Sequence, residues 1–477
     1  MVSDHFPNIW KFTSVFCNQH FCFTQISATY LRGFILETRN HATSRATHPS
    51  SAPQSSAVHS SPPSVSPSTK ALHHLEVELQ LENNDEAIAR GLIDGSVSKS
   101  EGIRHIMYSH GFPVWTSKGT ILFLYWSNTK RCYLTGDFND WTALPMKRSR
   151  SGVWYTEIRI PSHQSPKIGY KFMMSDGAFI PDPNARFFNY DSFGEISYIR
   201  HPHNQQYLMR WNDLESPQGL KSRPLHVLVP PTRPPYDVLY VHDGQNLFSK
   251  DSICGGWMLC ENMRKVHGNF LIVGVWNCED RMCEYTHTAD TYIDGYHYNT
   301  MGQKYAAFVE ETVRPFIESR FKTTDRAGLM GSSLGGLISL YISNRYPNRY
   351  AAVFALSPTT AWGRFGDDHG VTIRDYYEKA GHQNTFLYID HGGEFPTEGV
   401  SSVLDQRAAM RDESEWASAY DNCCYTFDFV SALVEIGYRQ NIDLFYQYVP
   451  GARHAEDAWA ARVSKPLRLF MKHNGRG

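Results

Sequence analysis

The sequence predicts an α/β protein, in which a mostly parallel sheet carries helices on both faces, with a β-sandwich in front of it. Three observations support this fold class. The chain has 477 residues, more than one hydrophobic core usually holds. Residues 116–201 contain short alternating apolar runs separated by turn residues, whereas strand-like and helical runs alternate after residue 201. We therefore expect a sandwich over 116–201 and an α/β domain over 202–477.

Composition excludes several classes of protein. A hydrophobic content of 41% supplies a core, and a net charge of −2 gives no basic field for nucleic acid. No apolar stretch approaches the roughly 20 residues that span a bilayer. The nine cysteines include no CxxC pair, and the chain has no N-x-S/T sequon. We therefore expect no nucleic-acid partner, no membrane span and an intracellular location, cytoplasmic or organellar.

The first 115 residues carry no recognisable chemistry. Residues 1–74 end in the run "THPSSAPQSSAVHSSPPSVSPSTK", which is too poor in apolar residues to order itself. We expect a disordered lead, and its few acids and scattered arginines are also compatible with a transit peptide. Spaced apolar residues over 75–115 predict one or two short helices.

The strands of the sandwich follow from "TILFLYW", "KRCYLTG", "GVWYTEIRI" and "KIGYKFMM". The stretches "YLTGDFNDW", "YKF" and "DGAFIPDPNA" resemble the early-set sandwich that binds glycogen in the AMP-activated kinase beta subunit and in starch-branching enzymes. The resemblance implies a glucan partner and a sugar-stacking platform at Trp141, Lys171 and Phe179, with phenylalanine where the family usually has tryptophan. The alternative is that these aromatic side chains are ordinary parts of the sandwich.

The α/β part shows a regular order of elements. Strands are predicted at "RPLHVLVPP", "YDVLYVHDG", "NFLIVGVWN", "AGLM", "YAAVFALSP", "TFLYID" and "LFYQYVP". Helices are predicted at "QKYAAFVEETVRPFIESRF", "LGGLISLYISNRY" and "TFDFVSALVEIGYRQ", and from Glu456 onward. Such alternation favours parallel pairing with crossover helices.

The stretch Gly331-Ser332-Ser333-Leu334-Gly335 fits G-x-S-x-G between a strand and a helix. Glycines at both ends allow a sharp turn that would lift the Ser333 hydroxyl above the sheet. The alternative is an ordinary turn, because glycine and serine are common in turns. The stretch predicts Ser333 as a catalytic nucleophile.

A serine nucleophile needs a base and an acid, which follow it in the order Ser, acid, His. "VPGARHAEDAW" supplies His454 after the last predicted strand. The turn "IDHGGEFPTEG" offers Asp390, Glu394 and Glu398 as the acid that orients the imidazole. Glu394 is preferred because it lies in the loop, and Asp390 at the strand end is the alternative.

A tetrahedral oxyanion needs two backbone N–H donors. Leu334 follows the nucleophile and gives one, and Gln245 in "HDGQNLF" gives the other. His242 and Asp243 could also be read as catalytic, but they precede the bend and are more simply residues that shape the loop.

Together, "LYVHDGQNLF", "VGVWNCEDRMCEYT", "LMGSSLGG", "LYIDHGGE" and "GARHAEDAW" resemble the putative-esterase branch of the α/β hydrolases. The resemblance implies an α/β hydrolase with an N-terminal immunoglobulin-like sandwich, a layout similar to that of enterobactin esterases. It also implies Ser333 as nucleophile, His454 as base, and Gln245 and Leu334 as oxyanion donors. The family's usual acid position falls on Phe395, one residue after Glu394. Arg281 and Glu284 are expected near the mouth of the cleft, where they would either bind substrate or pair with each other; the pair is preferred.

The sequence therefore predicts a serine carboxylic-ester hydrolase that acts through an acyl-enzyme and needs no metal or organic cofactor. The same triad would serve an acyltransferase. A catalytically inactive glycan-binding scaffold is the alternative from another class. The ester substrate, small or glycan-linked, is left open by the sequence.

Overall fold

A computed structural model describes residues 84–160, 169–201, 204–252, 254–292, 295–366, 370–394 and 423–472. The lead at 1–74, with its expected disorder or transit peptide, lies outside these residues. So do Phe395 and Glu398. The described residues from Asp85 onward form one compact unit.

The helices fall into a group before the sandwich and a group around the parallel sheet. They are Asp85–Asp94 (α1), Lys99–Tyr108 (α2), Leu259–Val266 (α3), Arg281–Glu284 (α4), Gly302–Phe308 (α5), Arg314–Glu318 (α6), Leu334–Arg345 (α7), Ile373–Ala380 (α8), Cys423–Glu435 (α9), Glu456–Arg462 (α10) and Ser464–Lys472 (α11). Single turns of 3-10 helix lie at Asp137–Asn139 and Gly244–Asn246, and a π-helical turn at Val309–Val313 joins α5 to α6.

Twenty strands are described. They are Val114–Trp115 (β1), Ile121–Trp126 (β2), Cys132–Gly136 (β3), Leu144–Pro145 (β4), Lys147–Arg148 (β5), Val153–Ile158 (β6), Gly169–Met174 (β7), Phe179–Ile180 (β8), Phe187–Asp191 (β9), Gly194–Tyr198 (β10), Tyr207–Leu214 (β11), Arg223–Val229 (β12), Tyr236–His242 (β13), Leu271–Val275 (β14), Asp290–Thr291 (β15), His297–Tyr298 (β16), Thr323–Ser332 (β17), Ala352–Leu356 (β18), Phe386–His391 (β19) and Leu444–Tyr448 (β20).

The sandwich is covered by helices on one side. Its first sheet has the order β1-β2-β6-β5. In β2, Ile121 and Phe123 face the second sheet, whereas Leu122 and Leu124 pack against the apolar sides of α1 and α2. Both faces of this strand are therefore buried, which explains why "ILFLYW" lacks polar alternation. In the described part of 75–115, where one or two short helices are predicted, the structure has α1 and α2.

The α/β part is built on six parallel strands in the order β14-β13-β17-β18-β19-β20. Side chains alternate between two cores: Val238 and Tyr240 of β13 face one helical layer, and Leu239 and Val241 face the other. Two antiparallel strands, β12 and β11, extend the sheet beyond β14. The α/β hydrolase fold with helices on both faces is thus confirmed.

The sandwich and the parallel sheet share one sheet, a feature that the sequence did not predict. β9 of the sandwich pairs with β11 through Leu208 opposite Phe188 and Met209 opposite Phe187. The path then continues through β10, β7, β3 and β4. The catalytic part and the sandwich are therefore joined by backbone hydrogen bonds.

Arg186 stabilises the contact between the sandwich and the strand β11. Its buried guanidinium donates hydrogen bonds to the carbonyls of Met107, Ser109 and Arg210 and lies 4.4 Å from the ring centroid of Trp211. Burial lowers the pKa of Arg186 to about 9. The C-terminal end of α2, the sandwich and β11 are thereby held by one side chain.

Within the residues described above, no helix combines the length and the apolar character that a membrane crossing requires.

Candidate active site

The bend at Ser333 has the geometry that exposes a nucleophile. β17 ends at Ser332 and α7 begins at Leu334, and Ser333 between them has φ 55° and ψ −126°. A Cβ at Gly331 would lie 2.4 Å from the backbone carbonyl of Gly335. The turn is therefore too tight for a side chain at position 331, and the strained serine conformation is one that proteins keep at functional sites.

The hydroxyl of Ser333 is half-buried and faces the loop that follows β18. Its Oγ lies 3.2 Å from Oγ1 of Thr359. The backbone strengthens this contact, because Thr359 N–H donates to the Ser333 carbonyl at 3.2 Å. The Ser333 hydroxyl therefore lies against the hydroxyl of Thr359. Catalytic hydrogen bonds are often formed only when substrate closes the site.

His454 lies where the order of the triad requires it, between β20 and α10. Its ring is half-buried and meets the Trp459 ring edge-on, with centroids 5.1 Å apart. Glu456 lies two residues after His454, and its pKa is raised above its ordinary value, mainly by burial and also by the negative charge of Asp243. Electrostatic interactions with His454 and Arg281 oppose this rise. His454, the start of α10 and the loop after β13 are therefore close enough to interact electrostatically.

The two described candidates for the acid lie in different surroundings. Asp390 is fully buried and its carboxylate accepts from Arg462 Nε at 3.0 Å, from the Tyr388 hydroxyl at 2.7 Å and from Ser357 N–H at 3.1 Å. Burial raises the pKa of Asp390. The carboxylate thus forms an ion pair with Arg462, and Arg462 also donates a hydrogen bond to the Ser357 hydroxyl at 2.7 Å.

Glu394 is exposed and lies beside the segment that carries His454. The loop at Gly393 pairs with that segment through Gly393 N–H to the Ala452 carbonyl, 2.8 Å, and Gly451 N–H to the Gly393 carbonyl, 2.9 Å. A Cβ at Gly451 would be 3.9 Å from Glu394 Oε1. Glu394 therefore stays the predicted acid.

Both predicted oxyanion donors are available. Within the described residues, neither Leu334 N–H nor Gln245 N–H donates to another protein group. The Gln245 side chain turns away to accept from Asn277 N–H at 3.2 Å. A Cβ at Gly244 would lie 2.6 Å from the backbone carbonyl carbon of Gly274. The close approach of β13 and β14 thus requires glycine beside Gln245.

The predicted pair of Arg281 and Glu284 is wrong. Arg281 binds Asp243 with both Nε and Nη2 at 2.8 Å. Glu284 binds Arg223 at 2.6 and 2.7 Å, with both side chains fully buried. Asp243 directly follows β13 and Arg223 begins β12, so each charge of α4 pairs with a residue at the end of a different strand. Asp243 is a loop-shaping residue, as expected, with a left-handed backbone at φ 59°.

A group of Cys278, Asp280 and Glu284 has ligand atoms within 4.8 Å of one another. Arg223 neutralises Glu284, and Lys221 Nζ lies 2.9 Å from Asp280. These cations occupy the carboxylates that a metal would need, so the group is a network of ion pairs.

Of the three residues predicted to bind sugar, Lys171 lies in β7 and is buried, Phe179 lies in β8, and Trp141 lies in the turn between β3 and β4. Phe179 is 48% exposed and pairs with Met173, two residues along β7 from Lys171. Lys171 Nζ donates to the Phe193 carbonyl at 3.1 Å, and Trp141 Nε1 donates to Asp137 at 3.1 Å. Sequence analysis missed Phe193, whose side chain is 86% exposed at the β9–β10 turn. The sequence signal that could have identified Phe193 is an aromatic residue at the tip of a turn.

Two protein families match the chain. Residues 220–416 match the family described as putative esterase, and residues 110–188 match carbohydrate-binding module 48, the isoamylase N-terminal domain. The first match confirms the resemblance stated above and the prediction of a carboxylic-ester hydrolase. The second match confirms the resemblance of the sandwich to a carbohydrate-binding module.

Solved structures similar to this chain include three other proteins. The enterobactin esterase of Shigella flexneri, in the presence of 2,3-dihydroxy-N-benzoyl-serine, is 15% identical, with TM-score 0.39 and coverage of 74% of this chain and 93% of that one. An IroE-like serine hydrolase from Shewanella oneidensis is 19% identical, with TM-score 0.42 and coverage of 55% and 80%. A ferulic acid esterase is 12% identical, with TM-score 0.39 and coverage of 57% and 99%. No curated protein matches the chain in sequence.

Proposed function

We propose that the chain hydrolyses carboxylic esters through an acyl-enzyme on Ser333. The backbone of Ser333, with φ 55° between β17 and α7, is the observation that carries the proposal. Among the described residues, the N–H groups of Leu334 and Gln245 donate to no other protein group, which supports the proposal because a developing oxyanion needs such donors.

In the proposed reaction, Ser333 Oγ attacks the ester carbonyl carbon while His454 takes the hydroxyl proton. The carbonyl oxygen becomes an oxyanion that accepts from Leu334 and Gln245. Collapse breaks the bond to the leaving alcohol, which receives the proton from His454. Water then attacks the acyl-enzyme with His454 as base, and the acid leaves. Glu394 orients the imidazole and stabilises its charged form.

A fluorophosphonate probe, read by intact mass, tests the nucleophile. We expect one label on the full chain, no label on Ser333→Ala, and strongly slowed labelling of His454→Ala. Ser332→Ala is the matched control, because Ser332 is the neighbouring serine and should leave labelling intact. Hydrolysis of an aryl acetate should fall at least about 10³-fold in Ser333→Ala. A folded parent that takes no label would contradict the mechanism.

Acyl transfer to an alcohol uses the same residues, and product analysis separates the two reactions. The parent is incubated with an aryl acetate in water with and without glycerol or maltose. Release of acetate alone supports hydrolysis. Acetylated glycerol or maltose as the main product would identify an acyltransferase.

We further propose that the sandwich binds glucan through Trp141, Lys171 and Phe179. The exposed ring of Phe179 supports this proposal, since an exposed aromatic face is available to stack on a sugar ring. Retardation by glycogen in native gel electrophoresis should be lost in Phe179→Ala. Trp115→Ala is the control, because Trp115 is an aromatic residue of the other sheet with 51% exposure. Equal retardation of Phe179→Ala and the parent would contradict the proposal.

A further inference from the structure

The loop after β13 and the segment after β14 are joined by charged and polar contacts. The Asp243 carboxylate accepts from Arg281 Nε and Nη2, both at 2.8 Å, and from Asn277 Nδ2 at 2.5 Å. The two charged side chains are 11% and 14% exposed. Such a two-pronged pair fixes direction as well as distance, because the guanidinium and the carboxylate are both planar.

These contacts hold an unfavourable backbone. Asp243 has φ 59° and ψ 45°, and Gly244 and Gln245 follow it directly. A left-handed aspartate costs free energy, so its surroundings must hold it in place. A second tie, from Asn277 N–H to the Gln245 side-chain oxygen, joins the same two segments. The direction of the Gln245 N–H is thus set by residues 277–281.

The same carboxylate also touches the bend at Ser333. A Cβ at Gly335 would lie 3.2 Å from Asp243 Oδ2 and 3.4 Å from His242 Cβ. The loop that carries Gln245 therefore packs directly on the turn that carries Leu334. One carboxylate is in contact with both structures that supply oxyanion donors.

We infer that the Asp243–Arg281 pair is a positioning device for the oxyanion hole. This inference rests on the proposed function and deepens it. Arg281 acts through Asp243: it keeps the left-handed turn in place, and the turn keeps Gln245 N–H at a fixed distance from Leu334 N–H. The pair is neutral as a whole, so its contribution is geometric. Arg281 directs Nε and Nη2 at Asp243, which leaves the binding of a substrate carboxylate to other groups.

Kinetics of Arg281→Met on an aryl acetate test the inference. Misplacing a donor should cost about as much as removing one, roughly 10²-fold in kcat. KM should change little, because the donors bind the oxyanion and not the ground-state ester. Affinity for a trifluoromethyl ketone, which forms a tetrahedral oxyanion on serine, should fall in parallel with kcat/KM. Added guanidinium should restore part of kcat.

Three further variants make the outcome decisive. Asn277→Ala removes one contact of the carboxylate and should lower kcat less than Arg281→Met, which covers the case that Arg281→Met does not fold. Arg281→Lys keeps the charge but loses the two-pronged geometry, so its kcat should stay low. Arg264→Met, at an exposed arginine of α3, is the control.

The results separate two failures. A parent that neither labels nor hydrolyses overturns the proposed function, and the inference falls with it. A parent that is active while Arg281→Met and Asn277→Ala keep its kcat overturns the inference alone. A rise in KM with unchanged kcat would instead assign Arg281 to substrate binding and would also overturn it.

Discussion

Gly331 and Gly335 lie on either side of Ser333, and they differ in the atoms that an added Cβ would contact. At Gly331 a Cβ would lie 2.4 Å from backbone atoms of Gly335, which cannot move without breaking the turn. At Gly335 the nearest atom, 3.2 Å away, is a side-chain oxygen of Asp243. Of the two glycines in the G-x-S-x-G pattern, Gly331 therefore tolerates an added side chain less well than Gly335.

We expect Gly331→Ala to cost about 3 kcal/mol or more of unfolding free energy, because overpacking against a backbone cannot relax. Gly335→Ala should cost less in stability but should lower kcat, because it pushes on Asp243. Urea unfolding and aryl acetate hydrolysis of the two variants check this. Equal stability of the two variants would contradict the steric reasoning.

The Asp243 carboxylate should also contribute stability that depends on pH. Although burial favours the neutral acid, the charge and hydrogen bonds of Arg281 hold the pKa of Asp243 below its ordinary value of 3.8. His242 and Glu456 also lie near it, and burial lowers the pKa of His242 to about 4. A lowered pKa stabilises the fold above the unfolded value, and the benefit is lost as pH falls through the folded value.

We therefore expect Asp243→Asn to lower the unfolding free energy by about 3 kcal/mol at pH 7, because it leaves Arg281 partly buried without a charged partner. The deficit relative to the parent should shrink below about pH 4. Urea unfolding of both proteins at about pH 7, 4 and 3 measures this deficit on both sides of the expected change. A deficit that grows on acidification would contradict the assignment.

At the scale of the elements, strand and helix order followed from sequence because apolar periodicity is local. "AGLM" marked the strand before the nucleophile, although β17 starts earlier, at Thr323. The helix predicted from Gln303 exists as α5 and α6 with a π-helical turn between them. Tertiary packing, and not the local spacing of apolar residues, sets the start of β17 and the π-helical turn between α5 and α6.

Pairing between distant elements could not be predicted in the same way. Arg281 and Glu284 are three residues apart in one helix and seemed natural partners, yet Arg223 and Asp243 bind them from two strands. Nothing near either residue in the sequence signals a partner about 40 or 60 positions away. The contact of Ser333 with Thr359 and the ion pair of Asp390 with Arg462 could not be predicted either, because these partners are also far apart in the sequence.

The pair of Arg223 and Glu284 ties β12 to α4, and it is fully buried. Removing one partner leaves an unpaired charge in the interior, which typically costs 3–5 kcal/mol. We expect roughly that loss of unfolding free energy in Arg223→Met. The double variant Arg223→Met with Glu284→Met should lose less than the sum of the single variants, because both charges are gone. Strict additivity in urea unfolding would show that the pair is not coupled.

At the scale of the whole molecule, the shared sheet sets the spacing between Ser333 and the residues proposed to bind glucan. β7, with Lys171, and β17, which leads to Ser333, are separated by seven strand-to-strand steps. At roughly 4.8 Å per step the path along the sheet is about 34 Å. The right-handed twist shortens the direct distance and turns the two regions relative to each other.

A small ester cannot touch both regions across such a path, but a polymer can. We therefore expect Phe179→Ala to leave kcat/KM for an aryl acetate within about twofold of the parent. The same variant should slow the release of acetate from acetylated amylopectin, because the platform no longer holds the polymer near the site. Trp115→Ala, an aromatic truncation of the other sheet, is the control for general damage to the sandwich. If Phe179→Ala lowers hydrolysis of the small ester as much as that of the polymer, the shared sheet transmits damage from the platform to the active site, and the two regions do not act independently.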